Sequence, residues 1–195
     1  MEESVVSRIP LVPVSELTPE QRDNYENRPG GKLNLNRLLA HAVAIQPGIS
    51  QAVRGMMTGT KLPPLERQVC ILAVLHLDRG AYEWAQHFQV SKTMGIPDAK
   101  IEAIADDRFG DPVFDARERA LLAFTRQVVK TVRVDDFVFD AVASFYSPRQ
   151  IVELIHVIGL YMLFARVSEV AELEIDAIAG GDFWKKANRE AGVID

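Results

Sequence analysis

The stretch "RGAYEWAQHFQVSKTMGIP" (residues 79–97) decides how this chain is read. Its central part, "AYEWAQHFQVSKTM", reads as a helix that begins after Gly80 and ends at Gly95, with Pro97 opening the first turn of the next one. Inside it, Glu83 stands four residues ahead of His87. Positions i and i+4 share a helix face, so the carboxylate and the imidazole can meet. Such a pair is either acid–base machinery or an ordinary helix contact worth only about a few tenths of a kcal/mol.

Outward from this helix the chain is helical in both directions. Upstream, "LERQVCILAVLHL" (65–77) is apolar almost all round, the mark of a buried helix. Before the "TGTKLPP" loop, "LNRLLAHAVAIQ" (35–46) reads as a helix stopped by Pro47, and another starts there through "GISQAVRGMM". Thr18, Pro19 and Gln21 supply the cap, first-turn proline and capping-box glutamine of a short helix that ends near "ENRPGG". Downstream, "IPDAKIEAIAD" is followed by the loop "DDRFGDPVFD", then "ARERALLAFTRQVVKT", a short "DDFVFDAVASFY", and a long final helix opened by Ser147, Pro148 and Gln150. The only strand-like patch, "VRVDDFVFDAV", is interrupted by Asp135 and Asp136. The expected fold class is all-α, organised as an extended segment over 1–17, one helical domain over 18–176 and a tail over 177–195. Glu66-Arg67 and Glu118-Arg119 each precede an apolar run, a faint internal echo that suggests a degenerate repeat.

Composition narrows the function classes. The chain has 195 residues, 48% of them hydrophobic and 25% charged, an ordinary globular balance. A net charge of −5 without a Lys/Arg cluster argues against nucleic-acid binding, which needs a basic surface. Cys70 is the single cysteine, so an intramolecular disulfide, a CxxC redox pair and a thiolate zinc site are excluded. The start "MEESVVSRIPLVPV" is acidic and broken by Pro10 and Pro13, unlike a secretory signal. No apolar run is expected to reach the roughly 18 residues of a membrane span, and the default setting is a soluble, cytoplasmic one.

The order Glu66-Arg67, buried helix, "RGAYEWAQHFQVSKTMGIP" and "IEAI" resembles the carboxymuconolactone decarboxylase family, which includes the alkylhydroperoxidase D-like proteins. "FYSPRQIVELIHVIGLYMLFARV" resembles the second half of its longer members. The resemblance runs from about Arg8 to Ile175 and implies an alkylhydroperoxidase D-like helical bundle. In the peroxidase branch a Cys-x-x-Cys-x-x-x-His motif occupies the helix that here holds His87. The matching cysteine positions are Gly80 and Glu83, so the resemblance is to the decarboxylase-like branch lacking the redox motif.

That resemblance implies a pocket with His87 and Glu66 as matching positions, and Glu83 as a further acid. A histidine near neutrality moves protons, and a carboxylate fixes its tautomer or shares its proton. The expected activity is a cofactor-free lyase, decarboxylase or isomerase acting on a small carboxylated or enolisable metabolite. The alternatives are a noncatalytic oligomeric small-molecule-binding protein and, third, a residual peroxide reductase dependent on Cys70. Tyr82, Trp84, His41 and Arg166 are candidate substrate-binding residues. Tyr82 and Trp84 read more readily as core or interface than as a substrate platform, and Glu66 reads equally well as a first-turn acid on the helix dipole. Arg67, Arg79, Arg108 and Arg166 compete as the carboxylate anchor. No organic cofactor is implied. The four histidines are scattered and form no i,i+4 pair, so no metal site is expected. The final helix is apolar on nearly every face, and relatives form rings of three or double rings of six. A homo-oligomer, trimer or hexamer, with Arg166 at a shared pocket, is therefore expected.

Overall fold

The computed structural model describes residues 7–28 and 30–176; the tail assigned to 177–195 lies outside the described residues. Among the described residues there are nine α-helices and no strand. After a single 3-10 turn at Val14–Glu16 come α1 (Pro19–Asn27), α2 (Asn34–Leu39), α3 (Gln46–Thr58), α4 (Pro64–Asp78), α5 (Ala81–Thr93), α6 (Asp98–Ala105), α7 (Ala116–Thr131), α8 (Asp136–Ala143) and α9 (Pro148–Val170).

The capping chemistry expected at α1 and α9 is present. Thr18 and Gln21 form a complete capping box, as do Ser147 and Gln150. Asp115 and Glu118 form a third at α7. Each satisfies two of the amides that a helix start leaves unpaired. The strand-like patch becomes a turn and α8, because Asp135 and Asp136 begin a helix there.

Two expectations need correction. The helix anticipated over 35–46 stops at Leu39, and α3 begins at Gln46 with Pro47 in its first turn. The Ala40 carbonyl accepts from Gln21 Nε2 at 3.1 Å, and a His41 ring nitrogen lies 2.6 Å from the Pro10 carbonyl. Tertiary partners thus claim groups around the break, and the proline disfavours helix immediately before it. Second, α9 is 23 residues long with a most apolar window of mean hydropathy 1.7, long and apolar enough to cross a membrane by length and composition. The expectation that no segment would reach that length fails. Of that window 44% is buried inside the fold, where α9 packs on α4, α5 and α7.

The core is built around α4. Val69 through Leu75 are all essentially inaccessible, and α7, α9, α5 and α6 pack around this helix. A helix buried on all sides needs apolar residues on all sides, which is what "VCILAVL" provides. Arg79 ends α4 in the left-handed region at φ 60°. Gly80 then turns the chain against α9: a Cβ at that position would come within 2.7 Å of the Ala165 Cβ. This close approach sets α5 against both α4 and α9, and the space that remains on the other side of α5 is covered by α1 to α3.

Candidate functional site

That space is a cavity of about 390 Å³, within the size range of small-molecule sites. The segment from α1 to α3 roofs it with Asn24, Gly31, Leu35, Leu39, Gln46 and Val53, among others. From α4 it takes Pro64, Arg67, Gln68 and Ile71, which are spaced as one helix face. From α5 and its C-cap it takes Glu83, Gln86, His87, Val90 and Met94, again one face. Tyr161 and Phe164 of α9 close the floor.

His87 is held by Gln68 and not by a carboxylate. Gln68 Nε2 donates to the His87 carbonyl at 3.2 Å and to Ser91 Oγ at 2.9 Å, and Ser91 Oγ donates to the same carbonyl at 2.7 Å. With both amide hydrogens used, Gln68 Oε1, 3.2 Å from His87 Nδ1, is the acceptor for a proton on that nitrogen. Gln68 Nε2 also lies 3.0 Å from Nδ1, so the tautomer is assigned here by hydrogen-bond economy. The assignment leaves Nε2 with its lone pair free. The Tyr161 ring meets the imidazole edge-on, 4.9 Å between centroids. Burial pushes the His87 pKa down to about 4, so the ring is neutral at pH 7.

Glu83 faces the same cavity from the turn before. One carboxylate oxygen accepts from Ser168 Oγ at 2.8 Å, while Oε1 is buried without a hydrogen-bond partner among the described residues. Burial raises its pKa to about 7, opposed by the Ser168 hydrogen bond. Glu83 and His87 therefore share a helix face and a cavity, with Ser168 as partner of the one and Gln68 of the other.

Arg67 is the cation of the interior. It is 4% exposed and donates to the Met56 carbonyl at 3.1 Å and Thr60 Oγ1 at 3.2 Å, with no carboxylate partner among the described residues. Burial lowers its pKa, since a desolvated guanidinium lacks its usual stabilisation. The competing anchors lie elsewhere. Arg108 pairs with Asp106 and Asp111, Arg166 pairs with Asp78, and Arg79 caps α4 beside a second, shallower depression.

The remaining candidates separate in the same way. Tyr82 lines the cavity, buried, with its hydroxyl donating to Asp176 and accepting from the Leu35 amide. Glu66 does not line it. Its carboxylate accepts from Tyr146 Oη at 2.6 Å and pairs with Arg117 Nε at 2.9 Å, tying the start of α4 to α7 and the loop before α9. The reach from Glu66 to His87 fails because two residues along a helix turn a side chain by about 200°; Gln68 holds the place expected of it. Trp84 lies on the shallow depression with His76, His41 is exposed on the Pro10 carbonyl, and Arg166 is exposed on α9. The sequence did carry one unused signal, which adds Gln68 and picks Arg67 from the four competing arginines: two long polar side chains at the head of a run that is otherwise buried.

Cys70 sits apart from the cavity, fully buried, 3.6 Å from Thr125 Oγ1, and burial pushes its thiol up to about 12. Among the described residues no cluster of three His, Cys, Asp or Glu side chains is arranged to hold a metal ion.

Residues 44–127 match the model of the Carboxymuconolactone decarboxylase family, a segment that runs from just before α3 into α7 and contains His87, Gln68, Arg67 and Glu83. The fold is that of the alkylhydroperoxidase AhpD core. An uncharacterised peroxidase-related protein from Ralstonia eutropha JMP134 with that core superposes at a TM-score of 0.78 and 17% identity, over 92% of this chain and 95% of the other. A peroxidase-related protein from Silicibacter sp. TM1040 gives 0.76 and 18%, over 91% and 95%. The debrominase Bmp8, in a cysteine-to-alanine form complexed with 2,3,4-tribromopyrrole, gives 0.70 and 15%, over 97% and 98%. No curated protein matches the sequence. The α3–α7 segment is thus similar to the carboxymuconolactone decarboxylase family, on an AhpD-like fold without the CxxC motif.

Proposed function

We propose that the cavity is the active site of an acid–base enzyme, a lyase or isomerase, acting on a small carboxylated metabolite. One observation carries the reading: a neutral, oriented imidazole, a carboxyl group poised near neutrality and a buried guanidinium without a carboxylate partner among the described residues line one cavity. Arg67 anchors the substrate carboxylate, since a buried charge is stable only with a counter-ion. His87 Nε2 takes a proton from carbon beside a carbonyl, and the enolate formed is reprotonated elsewhere by the Glu83 carboxylic acid, which completes an isomerisation. Where carbon dioxide leaves instead, its bonding electrons remain on the substrate carbon and Glu83 supplies the proton that quenches them. Gln68 positions the imidazole and does not touch the substrate.

Several features support the same reading of its setting. Protonated Cys70 leaves no thiolate for peroxide reduction. The cytoplasm suits a lone buried thiol, and the exposed apolar side chains of α8 and α9 suit a homo-oligomer. A second reading, binding without chemistry, draws on the uncharged Gln46 and Gln86 side chains in the cavity wall.

The two readings part on turnover. Oxo acids and lactone acids are offered to the protein, and kcat/KM is followed against pH. The acid–base reading expects a bell with limbs near about 4 and about 7, the window in which His87 is neutral and Glu83 protonated. His87→Gln should lower kcat by about 10²- to 10⁴-fold. Carboxylates that bind through Arg67 without any turnover would leave the binding reading standing and remove the catalytic one.

A further inference from the structure

Buried polar atoms without partners are rare, and each points to something that is missing. Among the described residues these atoms are Asn24 Oδ1, Gln46 Oε1, Glu83 Oε1, both Nε2 and Oε1 of Gln86, and Arg117 Nε. Arg117 Nε has the Glu66 carboxylate at 2.9 Å as its ion-pair partner. All the others belong to residues that line the one cavity. Gln86 and Glu83 are each 3% exposed and Gln46 is 5% exposed, so these groups are held away from bulk solvent.

Their chemistry is one-sided. Gln86 offers a complete amide, so its donor and acceptor are both available whichever way the group is turned. Gln46 is fixed by Nε2 donating to Ser50 Oγ at 3.2 Å, which leaves its oxygen free. Asn24 adds a further oxygen, while Glu83 Oε1, the oxygen left free by Ser168, carries the proton of the acid and is kept for the reaction. A wall dominated by acceptors repels a second carboxylate and rewards a group that carries hydrogens. Arg28 and Arg54 also line the cavity, but Arg54 is exposed and Arg28 half-buried, where solvent screens their charge. Their place suits attraction of an anion from solution more than the pairing of one inside.

Resting on the acid–base reading of this site, we infer that the ligand is bifunctional: a monocarboxylate whose other end is a neutral hydrogen-bond donor, a hydroxyl or carboxamide, bound by Gln86, Gln46 and Asn24. A donor that satisfies groups otherwise left unpaired is strongly selected over an analogue that lacks it, because the analogue leaves those groups buried and unpaired.

Four matched probes test this by titration calorimetry at pH 7: glutaramate, δ-hydroxyvalerate, valerate and glutarate. The expected order places glutaramate or δ-hydroxyvalerate at least about tenfold tighter than both valerate and glutarate, the ratio that one satisfied buried hydrogen bond supplies. Gln86→Leu should shrink that preference severalfold, by weakening glutaramate and δ-hydroxyvalerate and not valerate. Should this variant not fold, the order of the four probes on the wild-type protein stands as the test by itself. Glutarate binding tightest, or valerate binding as well as the hydroxy and amide acids, would overturn the inference; the latter means that ordered water alone satisfies the wall. Arg67→Met separates the two claims. If it abolishes binding of every probe while the preference in the wild type is absent, the carboxylate anchor stands and only the donor end falls. If no probe depends on Arg67, the active-site reading itself falls.

Discussion

At the scale of single residues, burial has moved His87 and Glu83 in opposite directions, and both shifts become stability as pH changes. The His87 pKa is lower folded than the ordinary 6.5, so the unfolded chain binds the extra proton. Its contribution is fully present above about 6.5 and is lost as pH falls toward about 4. The Glu83 pKa is higher folded than the ordinary 4.5, so the folded chain holds the proton. Its contribution is fully present below about 4.5 and is lost as pH rises through about 7. Each effect is on the order of 3 kcal/mol. Glu83→Gln, which keeps an acceptor for Ser168, should therefore gain stability over the wild type at about pH 8 and gain little at about pH 4. Urea midpoints across that range measure it, and a Glu83→Gln gain that is the same at both ends would contradict the burial argument.

At the scale of elements, the ends of helices were more legible than the faces they present. Thr18 with Gln21 and Ser147 with Gln150 could be read as capping boxes because a cap is local chemistry between residues three apart. The stop of α2 at Leu39 was not legible, since Gln21 and Pro10, which engage Ala40 and His41, lie far away in sequence. The same limit applies to the site. Glu83 and His87 could be placed on one face from their spacing, but which residue of α4 meets His87 depends on how α4 is rotated against α5. Glu66 was the chemically obvious choice, and Gln68 has the geometry.

Just after α7 the chain carries a visible cost. Val132 has φ 64° and is 83% exposed, so a β-branched residue occupies a left-handed conformation and gains no burial in return. Relief of that strain is worth about 1–2 kcal/mol. Val132→Gly should raise the midpoint of thermal unfolding; an unchanged or lower midpoint would show that the turn is not strained.

At the scale of the whole molecule, the exposed apolar residues are concentrated where α8 and α9 face outward. Val152, Ile155, Leu163 and Val170 follow one another along one face of α9, and Phe137, Phe139 and Phe145 are exposed on α8 and the turn after it, with Phe137 84% exposed. Gly159 lies within the α9 stripe with no heavy atom near the place of a Cβ, which permits close approach of another helix. Exposed apolar stripes of this kind are expected at interaction surfaces. A second copy of the chain suits it, in the trimer or hexamer expected from the family resemblance, with more than about 1,000 Å² buried per contact. Light scattering should give a multiple of the monomer mass, and Ile155→Asp with Phe137→Ser should reduce it to one. A wild-type protein that stays monomeric at micromolar concentration would remove the interface.

The proposed chemistry, finally, rests on a single imidazole. In protein labelled with ¹⁵N at histidine, the ring signals of His87, assigned by their loss in His87→Gln, report its tautomer, its pKa and its surroundings together. The account predicts a neutral ring with its proton on Nδ1, a midpoint near about 4 and a shift of the Nε2 resonance when glutaramate is added at pH 7. A His87 that titrates near about 6.5, or whose ring signals ignore every carboxylate, would contradict it.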